Sequence, residues 1–148
     1  MSRPTEAIIF DIDGTIANIM HRVHHVSGKK KNFDKFYDDI ESDILNEWAK
    51  VIIAPLKEKY TIILCTGRME KYRKRTNDWL TKNGVWYDFM LMRKDDDTRQ
   101  DYIIKEELYK EGIKPHYKVL FVVDDRQQVV DAWRKLGLTC LQCAHGNY

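Results

Sequence analysis

A parallel α/β sheet wound on both faces is the fold this sequence predicts, and three observations carry it. Short apolar runs alternate with helical patterns along the chain. Three of those runs, at 7–10, 61–65 and 118–123, are nearly continuous in hydrophobicity, as strands covered on both faces are. The connections are short, and strand–helix alternation with short connections implies one doubly wound parallel sheet, here of about five strands.

The elements follow in order. Ala-Ile-Ile-Phe at 7–10 is the first strand. The stretch 19–43 fits the alternation poorly. It is polar, holds His21, His24, His25, three lysines at 29–31 and the aromatics Phe33, Phe36 and Tyr37, and reads as a small helical insert leaning over the ligand crevice. A helix over 45–59 places Trp48, Val51, Ile52, Pro55 and Leu56 at mixed three- and four-residue spacing. After the strand at 61–65, a helix over 69–83 carries Tyr72, Thr76, Trp79 and Leu80, with Gly84 where a helix stop belongs. The strand at 89–92, a helix over 101–110, the strand at 118–123, a helix over 127–136 closed by Gly137, and a last strand at 139–142 complete the set.

Composition bounds the rest. A chain of 148 residues fits one domain, 1–148, since domains most often run to about 100–150 residues. The 25 basic side chains nearly balance the 23 acidic ones, so net charge does not argue for nucleic acid. Local clusters carry that case: Lys29 to Lys31, and the basic stretch 68–75. No apolar run approaches the roughly 20 residues of a membrane span, and the polar start does not read as a signal sequence. Three cysteines are an odd number, which disfavours a disulfide framework and suits the cytoplasm. Cys140 and Cys143 form a lone CxxC, read as two packing residues of the last strand in preference to a zinc or redox pair.

Carboxylates are expensive at the end of a buried strand, and this chain puts them there twice. Asp11 and Asp13 follow the first strand, and an i, i+2 acidic pair suits a hard cation such as Mg²⁺; the bland alternative is a cap and an Asp-Gly turn. Asp124 and Asp125 follow the fourth strand, where adjacent carboxylates repel unless a cation is near. Thr66-Gly67-Arg68 after the second strand supplies a hydroxyl, a flexible backbone and a planar cation, a set that suits a phosphate. Lys105 offers positive charge from a helix; alone it reads as an ordinary solvated lysine. Ligands of such sheets bind beyond the carboxyl ends of the strands, so these groups are expected to converge on one crevice.

D-x-D-G-T after the first strand, T-G-R after the second, a helix lysine and D-D after a later strand resemble, in that order, the haloacid-dehalogenase-like (HAD) phosphohydrolases. "DTRQDYIIKEELY", "PHYKVLFVVDDRQQVVDAWRKLGLTCLQ" and "CTGR" look like the 3′-phosphatase half of phage polynucleotide kinase/phosphatases. The likeness runs from about Thr5 to the end and is weakest across the insert.

That resemblance implies a mechanism. Asp11 would attack phosphorus and form an aspartyl-phosphate. Asp13 would protonate the leaving oxygen and then activate water. Mg²⁺ would be held by Asp11, the backbone carbonyl of Asp13 and Asp125, with Asp124 in support. Lys105, Thr66 and Arg68 would stabilise the phosphoryl oxygens. Arg93 and Asp101 also fall where the subfamily carries functional groups. Asp101 is expected to pair with Lys105 at i, i+4, and a solvated surface role for Arg93 stays open. The implied substrate is a nucleic-acid 3′ end, in the cytoplasm of a bacterium or an infected host, in functional partnership with a separate kinase or ligase.

The chain also departs from the pattern. It has no G-x-x-x-x-G-K-[ST], so 5′-kinase activity is not expected. Its insert is longer and more basic. Lys29 to Lys31 beside Phe33, Phe36 and Tyr37 suit phosphate contact and base stacking, or equally a solvated turn before an amphipathic helix. His21 and His25 stand at i, i+4, a spacing that can bind metal but more often does not. Two other functions compete with the polynucleotide 3′-phosphatase: a 5′(3′)-nucleotidase or similar small-molecule phosphatase, and a catalytically silent end-binding module.

Overall fold

The computed structural model describes residues 2–148. Its strands are β1 (Glu6–Phe10), β2 (Ala17–Asn18), β3 (Ile44–Leu45), β4 (Thr61–Met69), β5 (Phe89–Arg93), β6 (Lys118–Asp124) and β7 (Cys140–Gln142). Its α-helices are α1 (Phe33–Asp38), α2 (Glu47–Leu56), α3 (Arg73–Lys82), α4 (Asp101–Leu108) and α5 (Gln127–Lys135). Five strands form one sheet in the order β5-β4-β1-β6-β7, every pairing parallel.

Alternation along β1 shows why the sheet is covered twice. Ile8 and Phe10 point to a core shared with Ala49 and Ile53 of α2, Trp79 and Leu80 of α3, and Phe36 and Tyr37 of α1. Ala7 and Ile9 point the other way, to Val129, Val130 and Trp133 of α5 and to Tyr109 and Ile113 just beyond α4. Ala7, Ile8, Ile9 and Phe10 have no solvent exposure, which is why the run reads as continuously apolar.

Element boundaries differ from the sequence expectation where a strand or turn outcompetes a helix. β4 runs on through Thr66, Gly67 and Arg68, because Thr66 and Met69 still pair with Met92 and Arg93 across a bulge. The helix expected from 69 therefore starts as a 3₁₀ turn at Glu70–Tyr72 and becomes α3 at Arg73. α2 starts at Glu47, since Ile44 and Leu45 pair antiparallel with Asn18 and Ala17. After α4 the backbone widens into a π turn at Tyr109–Ile113.

That β2–β3 ribbon, which the hydrophobic pattern does not reveal, frames the insert. Between its strands lie a 3₁₀ turn (Val23–His25), α1 and a second 3₁₀ turn (Ile40–Ser42). Asn32 caps α1 by accepting the Lys35 N–H. Buried Arg22 ties the insert together. It donates Nε and Nη2 to the two Asp43 oxygens at 2.7 Å each and Nη1 to the Phe36 carbonyl. Asp43 is anchored to α3 through its carbonyl, which accepts from Trp79 Nε1. No helix among the described residues is long and apolar enough to cross a membrane.

Ile8→Ala in the fully buried centre of β1 is expected to destabilise the fold by about 2–5 kcal/mol. Urea unfolding would show it as a lower midpoint at an unchanged slope.

Candidate active site

The chain reaches β4 and β5 on one side of β1 and β6 and β7 on the other, so the order reverses at β1. Such switch points open a crevice at the carboxyl ends of the strands. Asp11 sits there, its N–H donating to the Val123 carbonyl at 3.0 Å. Asp124 ends β6, Asp125 follows it, and Thr66 lies at the same edge on β4.

Lys105 reaches this edge from α4 and donates to Asp11 Oδ1 at 2.8 Å and to Asp124 Oδ2 at 2.9 Å. Burial works against its charge, but Asp11 and Asp124 outweigh burial and hold the ammonium well above the usual lysine range. Thr15 Oγ1 donates to the second Asp11 oxygen at 3.0 Å. Asp124 is fully engaged, accepting also from Trp133 Nε1 and from the Asp125 N–H. Asp125 is not. Its Oδ1 is buried and, among the described residues, is the one such side-chain oxygen or nitrogen without a hydrogen-bond partner.

Burial, then the neighbouring Asp124 charge, push the Asp11 carboxyl well above the usual carboxylate range. The same two causes push Asp125 up to about 6. Oxygens of Asp11, Asp124 and Asp125 lie within 4.8 Å of one another. Three carboxylates against one ammonium leave the crevice short of positive charge, and an orphaned carboxylate oxygen marks where it is short. A hard divalent cation with oxygen ligands fits both observations.

Asp13 has different company. Its Oδ1 accepts from Arg22 Nη2 at 2.5 Å and from Arg68 Nη2 at 2.7 Å. Burial alone would raise its carboxyl, but Arg68 and then Arg22 outweigh that and hold it well below the ordinary range. Its backbone carbonyl accepts from the Tyr148 hydroxyl at 2.9 Å.

Several expected groupings change. Asp101 does not bond Lys105; it accepts from Arg93 Nη2 at 2.6 Å and Arg126 Nη1 at 3.1 Å, while Lys105 turns inward to two buried carboxylates. Arg93 is no solvated surface arginine, since it also donates to the carbonyls of Gly67, Asp97 and Arg99. Arg68 is fully buried, and its guanidinium is committed to Asp13, Asp43 and Thr76. The backbone N–H of Arg68 donates to Thr66 Oγ1. His21 bonds Asp43 while His25 lies against His24, so the two do not form a metal pair. Cys140 is buried on β7 and Cys143 Sγ rests 3.5 Å from Thr15 Oγ1. Burial pushes both thiols up, to about 12 and about 11.

Sequence reasoning gave no part to Arg22, Asp43, Arg126 or Tyr148. Each joins the site from a remote element, and no local spacing announces it. Thr15 was visible within D-x-D-G-T, but its bond to Asp11 was not.

Two glycines are dictated by close approach. A Cβ on Gly14, which holds φ +84°, would stand 2.1 Å from Asp125 Oδ2. A Cβ on Gly67 would stand 2.0 Å from Asp101 Oδ1.

Outside the carboxylates the crevice widens into a cavity of about 680 Å³. Asp11 and Asp13 form part of its lining, with Lys31 and Phe33 from the insert, Asp96 and Arg99 from the loop before α4, and Arg126 and Tyr148.

A doubly wound sheet with such a carboxylate–lysine centre at its switch point defines a hydrolase of the HAD class. A HAD-superfamily hydrolase from Ehrlichia chaffeensis shares the fold at 16% identity and a TM-score of 0.54, over 96% of this chain and 87% of its own. Residues 5–148 match the family of the polynucleotide kinase PNKP phosphatase domain. The chain belongs to that family and is a phosphatase. It is similar to a chain of the Pnkp1/Rnl/Hen1 complex, with 36% identity and a TM-score of 0.83 over 97% of this chain and 47% of that one. A protein of Autographa californica nuclear polyhedrosis virus that carries the name bifunctional polynucleotide kinase/RNA ligase is 29% identical over 140 residues, 88% of this chain and 18% of the viral one. The chain thus spans less than half the length of either relative.

Gly14→Ala is expected to displace the Asp125 carboxylate and to weaken divalent-cation binding by about tenfold or more, as isothermal titration would measure.

Proposed function

We propose that the protein is a Mg²⁺-dependent polynucleotide 3′-phosphatase that heals strand ends by way of an aspartyl-phosphate. The observation that carries this reading is the buried Asp11, held by Lys105 and Thr15 at the base of a cavity wide enough for a strand end. The family supports phosphatase chemistry on nucleic acid. The name of the RNA repair complex to which a similar chain belongs supports RNA ends, and partnership with a ligase or a kinase. Residues 1–148 act in this reading as one catalytic unit, with 19–43 as a small cap, in the cytoplasm. These residues contain no P-loop, so a 5′-kinase would have to come from elsewhere.

Asp11 attacks phosphorus, the bond to the 3′ oxygen breaks, and one difficult displacement becomes two easier ones. Lys105 and Thr15 hold both carboxylate oxygens, so the nucleophile is oriented before substrate arrives. Asp13 protonates the leaving 3′ oxygen and then takes a proton from the hydrolytic water. Arg22 and Arg68 keep Asp13 ionised in the free protein, so its protonation requires a loosened arginine contact. Asp13 lines the cavity, so the proton it delivers comes from solvent there, and the hydrolytic water returns one to it in the second step. Gly67 lines the cavity, and Thr66 stands buried beside it on β4, within reach of a small shift toward the phosphoryl oxygens. Arg93 ties the Gly67 carbonyl to Asp101. Asp11, the Asp13 carbonyl and Asp125 would hold Mg²⁺, with Asp124 in support, and the cation supplies the charge that lets a carboxylate approach a phosphate dianion.

Phosphate release from a 3′-phosphorylated oligonucleotide, its 5′-phosphorylated counterpart and a nucleoside 3′-monophosphate tests this reading. Release from the 3′-phosphorylated oligomer that stops with EDTA and in Asp11→Asn is expected. Faster turnover of the mononucleotide would make the protein a nucleotidase. Lys105→Ala leaves two buried carboxylates uncompensated and is expected to lower kcat by about 10²–10³-fold in the same assay.

A further inference from the structure

The aromatics of the insert divide sharply in their burial. Phe36 and Tyr37 enter the core at 3% and 7% exposure, whereas Phe33 remains 48% exposed. An exposed phenylalanine alone means nothing. Phe33, however, lines the same cavity as Asp11 and Asp13. Its ring is also braced, lying edge-to-face with Phe36 at 6.5 Å and 87°. Phe36 is in turn fixed beneath the Arg22 guanidinium, 4.3 Å from its ring centre. The result is a rigid, solvent-facing aromatic surface in the wall of the active-site cavity.

Charge on the cavity wall supplies a second, independent observation. Four basic side chains line it: Lys31, Arg93, Arg99 and Arg126. Arg93 and Arg126 are paired with Asp101, and Arg99 with Asp97 and Glu107. Among the described residues Lys31 has no carboxylate partner, and it lies two positions from Phe33. Asp96 and Asp97 stand on the loop before α4, also in the lining, and repel a polyanion. Among the described residues, the one unpaired cation of the cavity lining and the one exposed aromatic ring of the insert therefore occur together.

We propose that Phe33 stacks the base that precedes the 3′-terminal nucleotide while Lys31 contacts the backbone phosphate beside it, so that the site takes unpaired 3′-phosphorylated strand ends in preference to blunt duplex ends. Stacking needs a base face free of its neighbours, which a single strand offers and a closed duplex end does not. It reads the face of the base and not the sugar, so RNA and DNA strands use the platform alike. This inference rests on the phosphatase reading above and deepens it.

The test compares kcat/KM for a 3′-phosphorylated single-stranded trinucleotide, a blunt 3′-phosphorylated duplex and a nucleoside 3′-monophosphate, with Mg²⁺ present. In Phe33→Ala the trinucleotide-to-mononucleotide ratio is expected to fall about tenfold for RNA and DNA alike, and the preference over duplex to narrow. Phe33→Trp, which keeps a flat face, is expected to retain the ratio, so that loss of the ring is separated from damage to the insert. Lys31→Ala is expected to reduce the salt dependence of trinucleotide turnover by about one unit of slope. A trinucleotide-to-mononucleotide ratio that is the same in Phe33→Ala as in the wild type overturns this inference and leaves the phosphatase reading standing. Wild-type protein that releases phosphate from none of the 3′-phosphorylated substrates overturns both.

Discussion

The bond from Lys105 to Asp11 and Asp124 is the interaction on which the rest of the molecule depends. It joins the ends of β1 and β6 to α4, and among the described residues Lys105 is the one cation that bonds the buried carboxylates of the switch point. Removing one partner of a buried ion pair costs about 3–5 kcal/mol, because the charge left behind has neither water nor a counter-ion. That lysine offsets much of the cost of ending the centre of the sheet in aspartates. Even then compensation is incomplete. Asp125 keeps a buried oxygen without a partner, so stability is given up where an oxygen-seeking cation would be received.

Two residues along the chain from Asp11, at Asp13, a second ionic cluster is built on the opposite principle. Arg22 and Arg68 share Asp13 and Asp43, two cations against two carboxylates, each bonded more than once. That cluster is balanced and closed, whereas the Asp11 cluster is short of positive charge. The contrast assigns them different work. Such a balanced buried network adds little net stability but holds its members in one geometry. What it holds is the junction between the insert and the sheet, since Arg22 and Asp43 belong to the insert and Arg68 to β4. Asp13 is thereby the point at which the position of the insert is felt by the chemistry.

The insert also explains the shape of the cavity. Val26, Phe36, Tyr37 and Ile40 bury into the core beneath it, so it is a packed wall and not a loose loop. Its outer surface carries the polar and basic residues that make the sequence hard to assign to any element. The β2–β3 ribbon closes its base with only two residue pairs, which is enough because Arg22, Asp43 and Trp79 supply the remaining ties.

The sequence by itself determined the sheet and the aspartates at its edge. Strand runs at 7–10, 61–65 and 118–123 are legible because burial on both faces leaves an unbroken apolar signal. Asp11, Asp13, Asp124 and Asp125 are legible because charge at a buried strand end contradicts that signal. Tertiary structure decided the partnerships. Local spacing suggested that Asp101 would pair with Lys105, yet the nearest available charge in space won: Asp101 went to Arg93 and Arg126, and Lys105 to Asp11 and Asp124. The same holds for Arg22 with Asp13, for Arg68 with Asp43, and for the emergence of Phe33 as the exposed ring of its helix. Backbone pattern is set by neighbours in sequence, where periodicity is visible. Side-chain pairing is set by electrostatics and exclusion among residues as far as 135 positions apart, and only the folded chain brings those together.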